Sequence, residues 1–306
     1  MIEFGIEGKR AMKKLGFIGL GIMGKPMSKN LIDAGYDLIV YDIVEEVLNE
    51  VVKYGAKKGT SPRNIAENSE IILTMLPNSP EVKAVVVGEN GVIEGAKLGQ
   101  ILIDMSSIAP LVTRQLAEEL KAKGVEMLDA PVSGGQEKAQ AGTLAFMVGG
   151  KKEIFEECKE ILNVMGGSVT LVGDIGAGQT AKLVNQAIVA INIAAIAESL
   201  VLGKKAGVDP EMVFNAIKNG LAASQCLNDK APRMFSGQYD PGFKMKLHVK
   251  DLTNALETSK ELHLAMPLTA QVLEMMQSLL GEGYEEVDHG GLALYYEKLN
   301  GLSLKR

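Results

Sequence analysis

Short apolar runs alternate with amphipathic stretches through the first half of the chain. That alternation predicts a mostly parallel sheet crossed by helices. The runs predict strands over 15–18, 38–41, 71–75, 101–104, 126–129, 144–148 and 169–172. A helix over 23–34 fits between the first two, with Gly35 placed where a left-handed residue closes a helix. After Gly178 strand-like runs stop and helical periods continue to the end. Residues 179–206 hold no proline and one glycine, Gly203, before Gly207, which predicts one long helix joining two domains. Asp209-Pro210-Glu211 then reads as a helix start, with a capping Asp, Pro in the first turn and Glu at the positive end of the dipole.

Composition narrows what such a chain does. With 306 residues, 46% hydrophobic and 23% charged, it is long enough for one large domain or two ordinary ones, and disordered or fibrous readings drop out. A net charge of -6 gives no basic footprint for phosphate backbones, so nucleic acid is not an expected partner. Cys158 and Cys226 lie far apart, without CxxC spacing, and are expected as reduced thiols in a cytoplasmic protein. The apolar stretch 183–202 is interrupted by Asn185, Gln186, Asn192, Glu198 and Ser199, which favours a buried helix over a membrane span. Residues 1–11 carry no secretory pattern and Met12 opens the first strand-like run, so 1–11 are expected to be a tag or an upstream extension.

Gly19-Leu20-Gly21-Ile22-Met23-Gly24 directly follows a predicted strand and opens a predicted helix. In that context a GxGxxG turn lets backbone amides approach a pyrophosphate at a helix N-terminus. The alternative is a purely structural turn. The next strand ends at Tyr41-Asp42, where an acidic side chain accepts the two adenosine ribose hydroxyls and repels a 2′-phosphate. Asp42 thus points to NAD, with NADP the less expected cofactor, unless the residue merely caps the next helix.

Two further segments bear on chemistry. Asp129-Ala130-Pro131-Val132-Ser133-Gly134-Gly135 leaves a strand for a glycine turn, which is either a carboxylate cradle or an ordinary loop. At the start of the long helix, Lys182, Asn185 and Gln186 share one face amid apolar neighbours. Lys182 there either snorkels to solvent or works as an acid. As an acid it would protonate the alkoxide left when a hydride reaches an aldehyde carbon, and desolvation would bring its pKa toward the working range. Asn185 and Gln186 would then orient the ammonium or the substrate oxygen. His248, His263 and His289 show no ligand spacing and are expected as packing or surface residues, with no metal.

Gly19 through Met27, Asp129 through Gly135, Gly176 through Gln186, and Phe243 with Lys250-Asp251-Leu252 stand in the order of the β-hydroxyacid dehydrogenase family, which the chain resembles from about Met12 to Leu299. The resemblance implies an α/β Rossmann-type N-terminal domain with a mostly parallel sheet (12–175), joined by a long helix to an all-α C-terminal domain for substrate and oligomerisation (176–306). It also implies a homo-oligomer, dimer or tetramer, with the active site in the cleft between domains. The reaction implied is hydride exchange between the nicotinamide and a small hydroxy acid or semialdehyde. By the family's pattern Lys182 is the catalytic lysine, with Asn185 and Gln186 in the catalytic helix. Ser133, Gly134 and Gly135 bind the substrate carboxylate. Met75, Leu76 and Pro77 line the adenosine-ribose side, Ser107 approaches the nicotinamide ribose, Lys250 reaches the cofactor and Asp251 the substrate side. Ile43 stands where NADPH-preferring members place Arg, and Gln186 where several relatives carry Asn. The alternative class, a dinucleotide-binding protein without catalysis, is what relatives lacking the lysine resemble; imine reductases also replace it.

Overall fold

The computed structural model describes residues 13–305, so the expectation for 1–11 lies outside the described residues. By its internal contacts the chain forms two units. The first runs to Ser107 and resumes over Val112–Gly178; the second comprises Ile108–Leu111 and the chain from Gln179 onward. The change of pattern after Gly178 falls at this division, while the bounds given with the resemblance put it at 175/176.

In the first unit β1 (Leu15–Ile18), α1 (Gly24–Asp33), β2 (Leu38–Tyr41), α2 (Glu45–Lys53), β3 (Lys57–Lys58), α3 (Pro62–Glu67) and β4 (Ile71–Thr74) follow in turn. Next come α4 (Ser79–Val87), α5 (Val92–Gly95), β5 (Ile101–Asp104), α6 (Pro110–Lys121), β6 (Glu126–Asp129), β7 (Val132–Ser133), α7 (Gly135–Ala141), β8 (Leu144–Gly149), α8 (Lys152–Met165) and β9 (Gly166–Gly173). The strands order as β3-β2-β1-β4-β5-β6, all parallel, which is the doubly wound dinucleotide-binding arrangement. Beyond β6, β8 runs antiparallel to β6 and β7, and β9 adds to β8 in parallel.

Strands covered on both faces by helices read as unbroken apolar runs, and every residue of β1, β4 and β5 is buried. Helix α1 buries Met27 and Leu31 against this sheet, and Gly35, at φ +90°, ends it with its amide on Ile32 O. Sequence reading missed β3 and β7, each two residues long. It also placed Met75 in β4, which ends one residue earlier.

The second unit is helical. Helix α9 (Ala177–Lys205) is followed by α10 (Pro210–Ile217), α11 (Gln225–Ser236), α12 (Met245–Glu261), α13 (Pro267–Leu280), the single-turn η1 (His289–Leu292) and α14 (Ala293–Asn300). Length and composition alone would let α9 cross a membrane. Its buried Ala190, Ile193, Ala197 and Leu200, however, repeat at helical spacing and belong to the core with Leu252 and Met276. Asp209 accepts from Glu211 N at 2.8 Å and Pro210 opens α10, as the sequence predicts.

Candidate active site

The first unit builds its glycine turn by backbone proximity. Gly19 leaves β1 at φ +94°, and a Cβ there would stand 2.3 Å from the Met75 carbonyl oxygen. A Cβ on Gly24, where α1 begins, would lie 1.9 Å from Gly19 O. These two glycines hold strand, turn and helix together. Gly21 differs, because nothing lies within 4 Å of where its Cβ would be. Its open side leaves the amides of the turn, through Ile22 and Met23, accessible to a bound pyrophosphate, so the residues present fit a dinucleotide. A cavity of about 330 Å³ adjoins the turn's outer side, lined by Leu20, Gly21, Ile22, Lys25, Tyr54 and Gln136 among others.

Asp42 braces this turn. Its Oδ2 accepts from Leu20 N at 2.6 Å and its Oδ1 from Val44 N at 2.8 Å. The residue is half-buried, and each oxygen keeps a second lone pair for a ribose hydroxyl. Asp42 does not cap α2, whose N-cap is Val44 with no side-chain bond, so the capping alternative for Asp42 falls away. Ile43 beside it is 89% exposed.

At the C-terminal edge of the sheet, Ile18, Thr74, Asp104 and Asp129 stand in register across four strands. Thr74 Oγ1 donates to Asp104 Oδ1 at 2.8 Å and Ser106 N donates to the same oxygen at 3.2 Å. Burial nevertheless pushes the Asp104 carboxyl up to about 6, the hydrogen bonds from Ser106 and Thr74 opposing it. Just above, Leu76 N donates to Ser106 Oγ at 2.9 Å and Met75 N to Ile18 O at 2.9 Å. The 75–77 segment is thereby laced to the loop bearing Ser107. Asp104 was not among the sequence candidates; its signal was a carboxylate ending a wholly apolar strand.

The turn after β7 carries Gly134 and Gly135 at φ +139° and +70°, conformations L side chains rarely adopt, beside a half-buried Ser133. Asp129 Oδ1 accepts from Gly176 N at 2.7 Å.

The second unit gathers the other candidates. Lys182 is only 6% exposed, so its ammonium does not snorkel into bulk water. Burial lowers its pKa; the Asp251 carboxylate opposes that shift and the Lys250 charge adds to it. Asn185 Nδ2 donates to Gln186 Oε1 at 2.8 Å, and Gln186 Nε2 donates to Asp251 Oδ2 at 2.7 Å. Lys250 Nζ is 3.1 Å from Asp251 Oδ1. Asn185, Gln186, Asp251 and Lys250 thus connect α9 to α12 in one polar chain, and the buried Lys182 amine feels the charges of Asp251 and Lys250. Phe243 packs edge-on against His248 and His289, which are buried together, while His263 sits in a turn at φ +54°. Burial raises the Cys158 and Cys226 thiols to about 12 and about 11, which leaves both protonated.

A dinucleotide cradle and a buried amine in one chain are equipment suited to hydride transfer, the chemistry of NAD(P)-dependent oxidoreductases. Residues 14–173 match the model for the NAD binding domain of 6-phosphogluconate dehydrogenase, and 176–296 the model described as NAD-binding of NADP-dependent 3-hydroxyisobutyrate dehydrogenase. The chain is 44% identical over 279 residues to 2-hydroxy-3-oxopropionate reductase of Escherichia coli (strain K12), covering 91% of this chain and 95% of that protein. It is 38% identical to 2-(hydroxymethyl)glutarate dehydrogenase of Eubacterium barkeri, over 95% and 97% of the two chains. A solved structure of Mycobacterium tuberculosis 3-hydroxyisobutyrate dehydrogenase with L-serine superposes at TM-score 0.88 and 28% identity, covering 93% and 99%. The chain belongs to the β-hydroxyacid dehydrogenase family of NAD(P)-dependent oxidoreductases.

Proposed function

We propose that the protein reduces 2-hydroxy-3-oxopropionate (tartronate semialdehyde) to glycerate with NADH, using Lys182 as the general acid. The observation that carries this reading is the buried Lys182 amine, which feels the charge of Asp251 in the polar chain with Asn185 and Gln186. The choice of substrate rests on the 44% likeness to the reductase of that name. The choice of NADH rests on Asp42 and the exposed Ile43.

NADH held by its pyrophosphate at the Gly19–Gly24 turn would supply the hydride for the new C–H bond. The carbonyl electron pair passes to oxygen, and Lys182 Nζ gives that alkoxide its proton. In the oxidative direction the neutral amine takes the hydroxyl proton. Asn185 and Gln186 orient the ammonium and the substrate oxygen. Ser133 and the amides of Gly134 and Gly135 hold the carboxylate, and Asp251 sustains the charge on Lys182. Met75, Leu76, Pro77 and Ser107 would line the cofactor.

The test is turnover of a panel of semialdehydes with NADH and NADPH. Fastest reduction of tartronate semialdehyde with NADH is expected. Preference for the 3-hydroxyisobutyrate or 4-hydroxybutyrate type of semialdehyde would replace the proposed substrate. Lys182→Ala should lower kcat by about 10²- to 10⁴-fold with NADH affinity unchanged; undiminished turnover would remove Lys182 from the role.

A further inference from the structure

Two histidines 41 residues apart meet inside the helical unit, with His289 Nδ1 2.8 Å from His248 Nδ1. The contact fixes where the protons lie. His248 Nε2 is 3.0 Å from the backbone oxygen of Gln186, which can only accept, so Nε2 carries the hydrogen. A neutral His248 ring then has a bare Nδ1, and His289 must donate to it from Nδ1–H. With both rings neutral, each is confined to a single tautomer.

The surroundings reinforce neutrality. Burial leads in lowering the pKa of both rings. His248 faces the Lys182 and Lys230 cations, with the Gln186 carbonyl and the Asp251 carboxylate opposing them. His289 faces His248, Lys230, Arg233 and Lys182, all of which disfavour its protonation. Asp288, the acid next to His289, is committed to Lys230 Nζ at 3.0 Å and to the amides of Gly242, Phe243 and Gly290.

Gln186 is consequently gripped twice. Its backbone carbonyl receives His248, and its side chain joins Asn185 to Asp251. A pair of leucines would fill the same space without the cost of burying two imidazoles. The arrangement therefore has a use besides packing.

We infer that His248 and His289 are positioning residues, a neutral relay of fixed tautomer that locks α12 and η1 onto the Gln186 turn of α9 and so sets Lys182 against Asp251. The inference rests on Lys182 being the acid of the proposed reaction. Misplacing a reacting group by about 1 Å costs roughly 10²-fold in rate, so the relay acts on kcat rather than on cofactor affinity.

The deciding comparison is His289→Asn against His289→Gln in the full-length enzyme, with Lys182→Ala in parallel. An asparagine amide reaches the place of Nδ1–H, whereas a glutamine amide, equally polar, reaches past it. His289→Asn should keep kcat near wild type. His289→Gln should lose roughly tenfold to 10²-fold in kcat. Its NADH Kd should be unchanged, and its loss of reduction at high pH should begin at lower pH because Asp251 no longer supports Lys182. Equal kcat and equal pH profiles for the two variants would overturn the relay, as would kcat losses that merely track Tm. Unchanged turnover in Lys182→Ala would instead overturn the acid assignment itself, which keeps the two failures apart.

Discussion

Gln186 on α9 donates from Nε2 to Asp251 Oδ2 on α12 at 2.7 Å, and Asp251 Oδ1 lies 3.1 Å from the Lys250 ammonium. One carboxylate thereby fastens two helices and opposes the burial that drives Lys182 toward its neutral form. The balance of burial and the Lys250 charge against this carboxylate sets the pH at which Lys182 gives up its proton.

Asp251→Asn keeps the shape and an acceptor for Gln186 but removes the charge. Reduction needs protonated Lys182, so its rate is full below the lysine pKa and is lost as pH rises through it. Without Asp251 that loss moves to lower pH, by about one unit or more for a buried partner. The kcat profile for reduction measures it; an unmoved basic limb would show that Asp251 does not tune the acid.

The glycines of the turn should separate by role. Gly24→Ala drives a Cβ into Gly19 O and should cost about 1–3 kcal/mol of stability. Gly21→Ala points its methyl into open space, so Tm should hold while NADH binding weakens roughly tenfold, about 1.4 kcal/mol. Calorimetry and cofactor titration check both, and equal Tm losses would contradict the assignment of Gly21 to the cofactor side.

How far the sequence exposed these features depended on their range. Strands β1 and β5 are runs of buried residues and β2 and β6 partly buried ones, all four with limits readable to the residue, and α9 announced itself by length. The two-residue β7 has no period to detect, and the exposed, uneven β9 outruns its apolar centre by several residues. Helical spacing brought Lys182, Asn185 and Gln186 together, but no local pattern could reveal that His289 touches His248 or that Asp288 binds Lys230. Those contacts follow from how α11, α12 and η1 pack. Asp104 left only a faint trace, a carboxylate closing an otherwise apolar strand, and its depth of burial is what the fold adds.

Cofactor preference can be tested at β2. Asp42→Ser with Ile43→Arg removes the charge that would repel a 2′-phosphate and supplies one to bind it. The ratio of kcat/KM for NADPH over NADH should rise roughly tenfold or more. Leu20 N loses its 2.6 Å acceptor, so a stability loss of about 1 kcal/mol should accompany the switch. A wild-type enzyme that already favours NADPH would refute the role given to Asp42.

Asp104 makes stability depend on pH. Its folded-state pKa, pushed up to about 6 by burial, lies above the value near 4 of an unfolded aspartate, so the folded protein holds the proton more tightly. The contribution is full below about pH 4 and is lost as pH rises through about 6, an order-of-magnitude change of roughly 3 kcal/mol. Asp104→Asn keeps an oxygen for Thr74 and Ser106 but cannot ionise. Relative to wild type, the variant should therefore gain Tm between pH 4 and pH 7, whatever fixed offset the new amide introduces. Differential scanning calorimetry of both proteins across that window gives the answer; Tm curves that stay parallel would mean that Asp104 ionises in the folded protein as easily as in the unfolded chain.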